Sequence, residues 1–218
     1  MPSRRIRLLA MLALATAASM PRPAAAIVVT LGEQDFADGS TVATIPYNTA
    51  SAGEPAPFGG LIGNDNDTDF DATWTFVFPA AAYASATLRF GIVDHDSGDP
   101  GSQVASFTVD GVDLTAAIDA LFEADAGHNG DLFVYDIALP AAALPGLSDG
   151  AASFTLVLQG PTFSTLGVML PNNSAGLDFS TLTLAEDATA VPSPGTAALL
   201  GAGLLAACAR RRAGSARR

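Results

Sequence analysis

From Phe70 to Phe78 the chain alternates without a break. Phe70, Ala72, Trp74, Phe76 and Phe78 fall on one side of an extended backbone, and Asp71, Thr73, Thr75 and Val77 on the other. A period of two belongs to a β-strand with one face buried, because successive side chains point to opposite faces of a sheet. The same pattern returns at Ala86, Leu88, Phe90 and Ile92, at Ala105, Phe107 and Val109, at Phe133, Tyr135, Ile137 and Leu139, and at Phe154, Leu156 and Leu158. Near the end, Leu177 and Phe179 are followed by Leu182 and Leu184. That slip of phase at Ser180-Thr181 predicts a β-bulge. Ile27 to Leu31, Thr41 to Ile45 and Leu166 to Leu170 are weaker strand candidates.

Turn dipeptides punctuate these runs: Asp38-Gly39, Asp110-Gly111, Asn129-Gly130 and Asp149-Gly150. One segment departs from the period of two. Leu114, Ile118, Leu121 and Phe122 recur at helical spacing, which predicts a short helix over about 113–124, with Asp113 as N-cap and Gly127 as its stop. Many short strands and one helix imply an all-β fold, an antiparallel two-sheet sandwich of jelly-roll type. Residues 27–190 have the length of one domain with a full core.

Charge is distributed unevenly. All 22 acidic residues lie within 27–190, together with a single base, Arg89, so that this stretch carries −21. A domain so charged repels nucleic acid and anionic surfaces and attracts divalent cations. The only cysteine, Cys208, lies near the C-terminus, so the domain has no disulfide and depends on its core and on any ions it binds.

Two acidic groups are candidate Ca²⁺ sites. Asn64 to Asp71 reads NDNDTDFD. An EF-hand beginning at Asp65 would need Gly and Glu where Phe70 and Phe76 stand, so that motif is excluded. What remains is a row, Asp65, Asp67, Asp69 and Asp71, alternating onto one side as the chain enters a strand. It is either a cation site or a solvated edge that discourages strand-to-strand association. The second group, Asp94-His95-Asp96-Ser97-Gly98-Asp99, follows a strand whose inward phase, if it continued, would turn Asp94 and Asp96 toward the core. A carboxylate there needs backbone amides or a cation, since Arg89 lies on the opposite face. His95 reads either as a metal ligand or as a surface histidine beside acids. The metal candidates are therefore Asp65, Asp67, Asp69, Asp94, Asp96 and Asp99.

Catalytic motifs are not supported. Gly146-Leu147-Ser148-Asp149-Gly150 fits G-x-S-x-G, but a nucleophile elbow needs a strand before the serine and a helix after it. The triad also needs a later histidine, and His95 and His128 both precede Ser148. There is no HExxH, P-loop or zinc pattern. The remaining enzymatic alternative is a secreted polysaccharide hydrolase using paired carboxylates.

The termini are targeting segments. Arg4, Arg5 and Arg7, the apolar run Leu8 to Ala18 and the small residues Ala24-Ala25-Ala26 make residues 1–26 a signal peptide. At the other end, Val191, Pro192, Ser193 and Pro194 precede an uncharged apolar run and then Arg210, Arg211 and Arg212, with Arg217 and Arg218 beyond. The prolines end the folded part, and the arginines stay on the cytoplasmic side of a bilayer. Thr196 to Ala209 make about 21 Å of helix, short against a hydrocarbon core of about 30 Å. This tail, residues 191–218, resembles the PEP-CTERM sorting signal of exported bacterial proteins; the family usually has Glu where Ser193 stands. The resemblance implies recognition by an exosortase-type processing enzyme, transient inner-membrane anchoring, and delivery to the cell envelope, surface or exterior. Exosortase systems accompany exopolysaccharide production. The expected function is therefore that of a non-catalytic, matrix- or carbohydrate-associated module. Only Trp74, Tyr47, Tyr83 and Tyr135 offer rings for stacking on sugars, and Trp74 and Tyr135 read as core.

Overall fold

The computed structural model describes residues 26–164 and 166–187. The segments read as a signal peptide (apart from Ala26) and as a sorting tail, including Val191 to Pro194 and Arg210 to Arg212, lie outside the described residues. Among the described residues no helix is long and apolar enough to cross a membrane.

Strands β1 (Ala26–Gly32), β2 (Ser40–Thr41), β4 (Tyr83–Val93), β7 (Asp131–Ala138) and β11 (Gly176–Glu186) form an antiparallel sheet in the order β1-β11-β4-β7-β2. A second sheet has the order β3-β8-β5-β6, from β3 (Asp71–Val77), β8 (Ala151–Leu158), β5 (Val104–Val109) and β6 (Val112–Asp113). A two-stranded ribbon pairs β9 (Thr162–Phe163) with β10 (Met169–Leu170). Two short helices are present rather than the one expected: α1 (Thr44–Ala50) and α2 (Thr115–Asp125).

The alternation around Trp74 becomes β3 as read, with Ala72, Trp74 and Phe76 buried and Asp71, Thr73, Thr75 and Val77 exposed. The sheets meet there. Trp74 stacks on Phe154 of β8 at 5.7 Å and on Phe107 of β5 at 6.4 Å, and lies 6.5 Å from Phe90 of the five-stranded sheet. Its indole N–H donates to Ser180 Oγ on β11 at 3.1 Å, so the one polar atom of this ring is satisfied inside the core. The two inner faces thus share one core, which also takes Ile118 and Phe122 of α2.

Four expectations are corrected. The register shift in β11 falls between Leu177 and Phe179, not at Ser180-Thr181. Ser180 therefore faces inward opposite Phe90, while Phe179 pairs with Gly91, where an added Cβ would meet its ring at 2.9 Å. In β5 a shift between Val104 and Ser106 buries Val104 and exposes Ala105. Thr41 to Ile45 is strand only as far as Thr41 and then enters α1, because Tyr47 docks on the outer face of the large sheet. Together with Val42, Val93 and Leu132, Tyr47 makes a second, smaller hydrophobic cluster there. That tertiary contact overrides a run rich in Thr and Ile. Helix α2 starts from Leu114, with Asp113 Oδ1 accepting the Thr115 N–H, and ends on Ala126 at φ 51°, one residue before Gly127.

Candidate functional site

Strand β4 stops at Val93 because the chain turns. Asp94 and Asp96 take left-handed backbone angles, φ 67° and 51°, which aspartate tolerates better than most residues. The strand therefore ends at Val93; Asp96 is nonetheless buried, and Asp94 is half-buried. Asp94 Oδ1 accepts the Gly130 N–H at 2.7 Å, and its own N–H donates to the Asp131 carbonyl. Ser97 Oγ donates to the Phe122 carbonyl and accepts the Gly127 N–H, tying the loop to the end of α2.

His95 is not a surface histidine, and its Nδ1 is buried without a hydrogen-bond partner. Its ring is fully buried, stacks on Phe122 at 4.2 Å, and shares a 2.9 Å hydrogen bond between Nε2 and the Tyr135 hydroxyl. Burial pushes its pKa down to about 3, so it is neutral at physiological pH.

The acidic row does not form. Asp65 Oδ1 accepts the N–H and hydroxyl of Ser174, and Asp69 Oδ1 accepts the N–H groups of Asn173 and Gly160. These two half-buried carboxylates clamp the chain that leads into β11, while Asp67 and Asp71 are exposed. Asp99 accepts the Phe163 N–H, fastening the β9 ribbon to the 94–99 loop.

Of the six candidate residues, the fold brings Asp65, Asp94, Asp96 and Asp99 into one electrostatic group, and adds Asp131. Asp96 is 2 % exposed; burial, then the charges of Asp94, Asp65, Asp99 and Asp131, push its carboxyl up to about 8. Asp94 rises to about 6, chiefly through burial and against the lowering effect of the Gly130 N–H. Asp67 and Asp69 belong to no such group. Among the described residues no three His, Cys, Asp or Glu side chains converge as a ready-made metal cage.

Beside this group a pocket of about 360 Å³ opens between α1 and the ends of β4 and β7. Thr41, Val42, Ala43, Thr44, Tyr47, Leu61, Val93, Asp94, Asn129 and Gly130 line it. Sequence reasoning missed it, because it exists only once α1 packs on the sheet. Asn129-Gly130, which reads as a turn, was the available signal. Asn129 Nδ2 donates to the Phe163 carbonyl, which leaves its amide oxygen for other partners. The Tyr47 hydroxyl is buried without a hydrogen-bond partner, and burial raises its pKa. Tyr47, Tyr83, Trp74 and Tyr135 are all buried, so none presents an open ring.

No family model and no curated protein matches this chain. It is similar to solved structures at low scores. Dimeric latent PorU from Porphyromonas gingivalis gives a TM-score of 0.38 at 10 % identity over 78 % of this chain. The plant receptor-like kinase ANX1 gives 0.36 at 15 % identity over 76 %. A family 35 carbohydrate-binding module from an environmental isolate gives 0.28 at 15 % identity, covering 68 % of this chain and 83 % of that one. This chain spans 13 % of the first and 41 % of the second.

Proposed function

We propose that this chain is an exported, non-catalytic β-sandwich protein of jelly-roll type that binds a saccharide in the pocket beside α1. The tail directs it to the cell envelope or surface through exosortase-type processing and a transient membrane anchor. The observation that carries the binding reading is the lining of the pocket. Val42, Tyr47, Leu61 and Val93 offer an apolar wall, while Asp94, Asn129, Thr41 and Thr44 offer acceptors and hydroxyls around it. A sugar ring has the same division, C–H faces bounded by hydroxyls, and a mostly apolar cleft with a few placed polar groups is what small ligands occupy. The volume suits one or two sugar units and not a long chain laid in a groove.

The same lining speaks against the hydrolase. Glycoside hydrolysis works with two carboxyl groups flanking the bond, and Asp94 is the one carboxylate among the lining residues. Calorimetric titration of the full-length chain with mono- and disaccharides, including uronic acids as negatively charged controls, tests the reading. Neutral sugars are expected to bind and uronic acids to be rejected by Asp94. Ala43→Trp, which fills the pocket from an exposed position, should weaken binding at least tenfold. Neutral sugars that bind equally well to Ala43→Trp, or not at all to the native chain, would overturn it.

A further inference from the structure

Among the described residues six large apolar side chains are exposed, and three of them stand together. Val28, Ile45 and Val77 lie singly on β1, α1 and β3, as apolar residues do on most protein surfaces. Leu166, Val168 and Met169 instead crown the β9–β10 ribbon, 89 %, 56 % and 63 % exposed. Apolar groups gathered in one exposed place mark a contact with a partner or with lipid.

The ribbon is fixed at its base and closed at its tip. At the base the buried Thr162 hydroxyl donates to the Asn172 carbonyl at 3.0 Å, the Phe163 N–H to Asp99, and Asn129 Nδ2 to the Phe163 carbonyl at 2.8 Å. Above it the turn bonds to itself. Ser164 N–H donates to the Val168 carbonyl, Gly167 N–H to the Ser164 carbonyl, and Val168 N–H to Ser164 Oγ. Gly167 takes φ 70°, the left-handed angle that glycine adopts without strain. Those three donors are spent inside the turn and need no water. The tip is also free of charge: no residue from Gly150 to Leu177 is acidic or basic, in a domain that holds 22 acids.

That combination selects the partner. A carboxylate or an unpaired N–H is costly to carry into hydrocarbon; the tip brings no carboxylate and keeps these three N–H groups paired. Val168 and Met169 are successive residues entering β10, so they point to opposite sides of the ribbon, and both are exposed. A flat protein surface would cover one side, whereas a fluid apolar medium surrounds both. We propose that the β9–β10 tip dips into the interface of an electrically neutral bilayer, with Leu166, Val168 and Met169 at the boundary of headgroups and acyl chains. Asp99 at the ribbon's base and the charge of the whole domain exclude an anionic surface. Three side chains do not hold a protein on a membrane alone, since even a myristoyl chain binds only marginally. The tip acts on a chain that its tail already anchors, where a second weak contact works at high effective concentration and orients the domain. The proposal rests on that reading of the tail.

The test uses the full-length chain reconstituted into phosphatidylcholine vesicles. Flotation reports the anchor, and an introduced indole reports the tip. Leu166→Trp and Val77→Trp each replace an exposed side chain, so neither disturbs the core. Lipids brominated along their acyl chains should quench the Leu166→Trp emission several-fold more than that of Val77→Trp, after the signal of the buried Trp74 is subtracted. Adding Met169→Asp should abolish the quenching and leave flotation unchanged, because the new carboxylate resists lipid. A native chain that does not float overturns anchor and tip together. A chain that floats while the Leu166→Trp indole is quenched no more than the Val77→Trp one overturns the tip alone. An unquenched indole whose emission shifts with protein concentration would give the tip to a second copy of the chain, and the proposal would fail.

Discussion

Trp74 packs against both sheets, so removing it opens a hole that neither side can close. Trp74→Ala should cost about 3–5 kcal/mol in urea unfolding. Thr73→Ala, one residue away on the exposed face, gives up only a hydroxyl contact with Thr155 and should cost under about 1 kcal/mol. Equal costs would contradict the assignment of faces. Tyr47→Phe works in the opposite direction. It deletes a buried hydroxyl that has no partner and should raise the stability of the unliganded chain by about 1 kcal/mol. Asp178 is the residue whose charge the fold tolerates least outside the acidic group. It is buried at the shifted point of β11, and burial raises its pKa to about 6, against two N–H groups, Asp35 and Phe36, that lower it. For an acid raised in the folded state the stabilising contribution is complete below the unfolded value near 3.8 and is lost as pH rises through about 6. His95, depressed to about 3, acts in the reverse sense, its contribution being lost as pH falls below about 6.5. Asp178→Asn should therefore remove a loss of on the order of 1–2 kcal/mol between pH 4 and pH 7 and leave the parts due to Asp94, Asp96 and His95. Denaturant unfolding across that range in chelator, native against variant, measures the difference.

Helix α1 owes its position to a glycine on another strand. A Cβ on Gly176, the first residue of β11, would lie 2.5 Å from the Tyr47 ring and hydroxyl, so the ring would have to shift toward the pocket it lines. Gly176→Ala should destabilise by about 1–3 kcal/mol and speed amide exchange in α1 and β2 ahead of the main sheets. If exchange speeded uniformly across the domain, α1 would not be a separately held element. The contact also explains what was legible in the sequence. Strands β3 and β8 were readable because buried residues alternate strictly with more exposed ones. In β7 only the end from Tyr135 keeps that alternation, since Leu132 is buried on the outer face under Tyr47. The segment from Thr44 was not, because nothing local announces a seven-residue helix made by one docked tyrosine. In β11, counting in twos failed after Leu177, since Asp178 and Phe179 are both buried and the true inward residue is a serine bonded to Trp74. The acidic group was half legible. The sequence pointed to Asp94, Asp96, Asp99 and Asp65, but Asp131 joins them only through β7. Sequence distance hides that meeting. Parity likewise failed at Asp94, where a left-handed turn ends the strand.

Across the whole molecule the same sign of charge covers nearly every exposed acid, and the tail carries the opposite sign. Deleting residues 191–218 should leave export intact and release the domain into the medium, which fractionation of cells and supernatant would measure. Retention of the truncated chain on cells at the native level would show that another part anchors it. The near-absence of bases has a second consequence, for resistance to proteolysis. Between Arg22 and Arg210 a protease that cuts after lysine or arginine finds one bond, Arg89-Phe90. That bond lies mid-strand in β4, with β11 paired on one side and β7 on the other. An extended peptide cannot be drawn from there into a protease cleft without dismantling the central sheet. The folded domain is thus invisible to trypsin-like enzymes as long as the sheet stays closed, and a single internal cut at Arg89 becomes a clock for its opening.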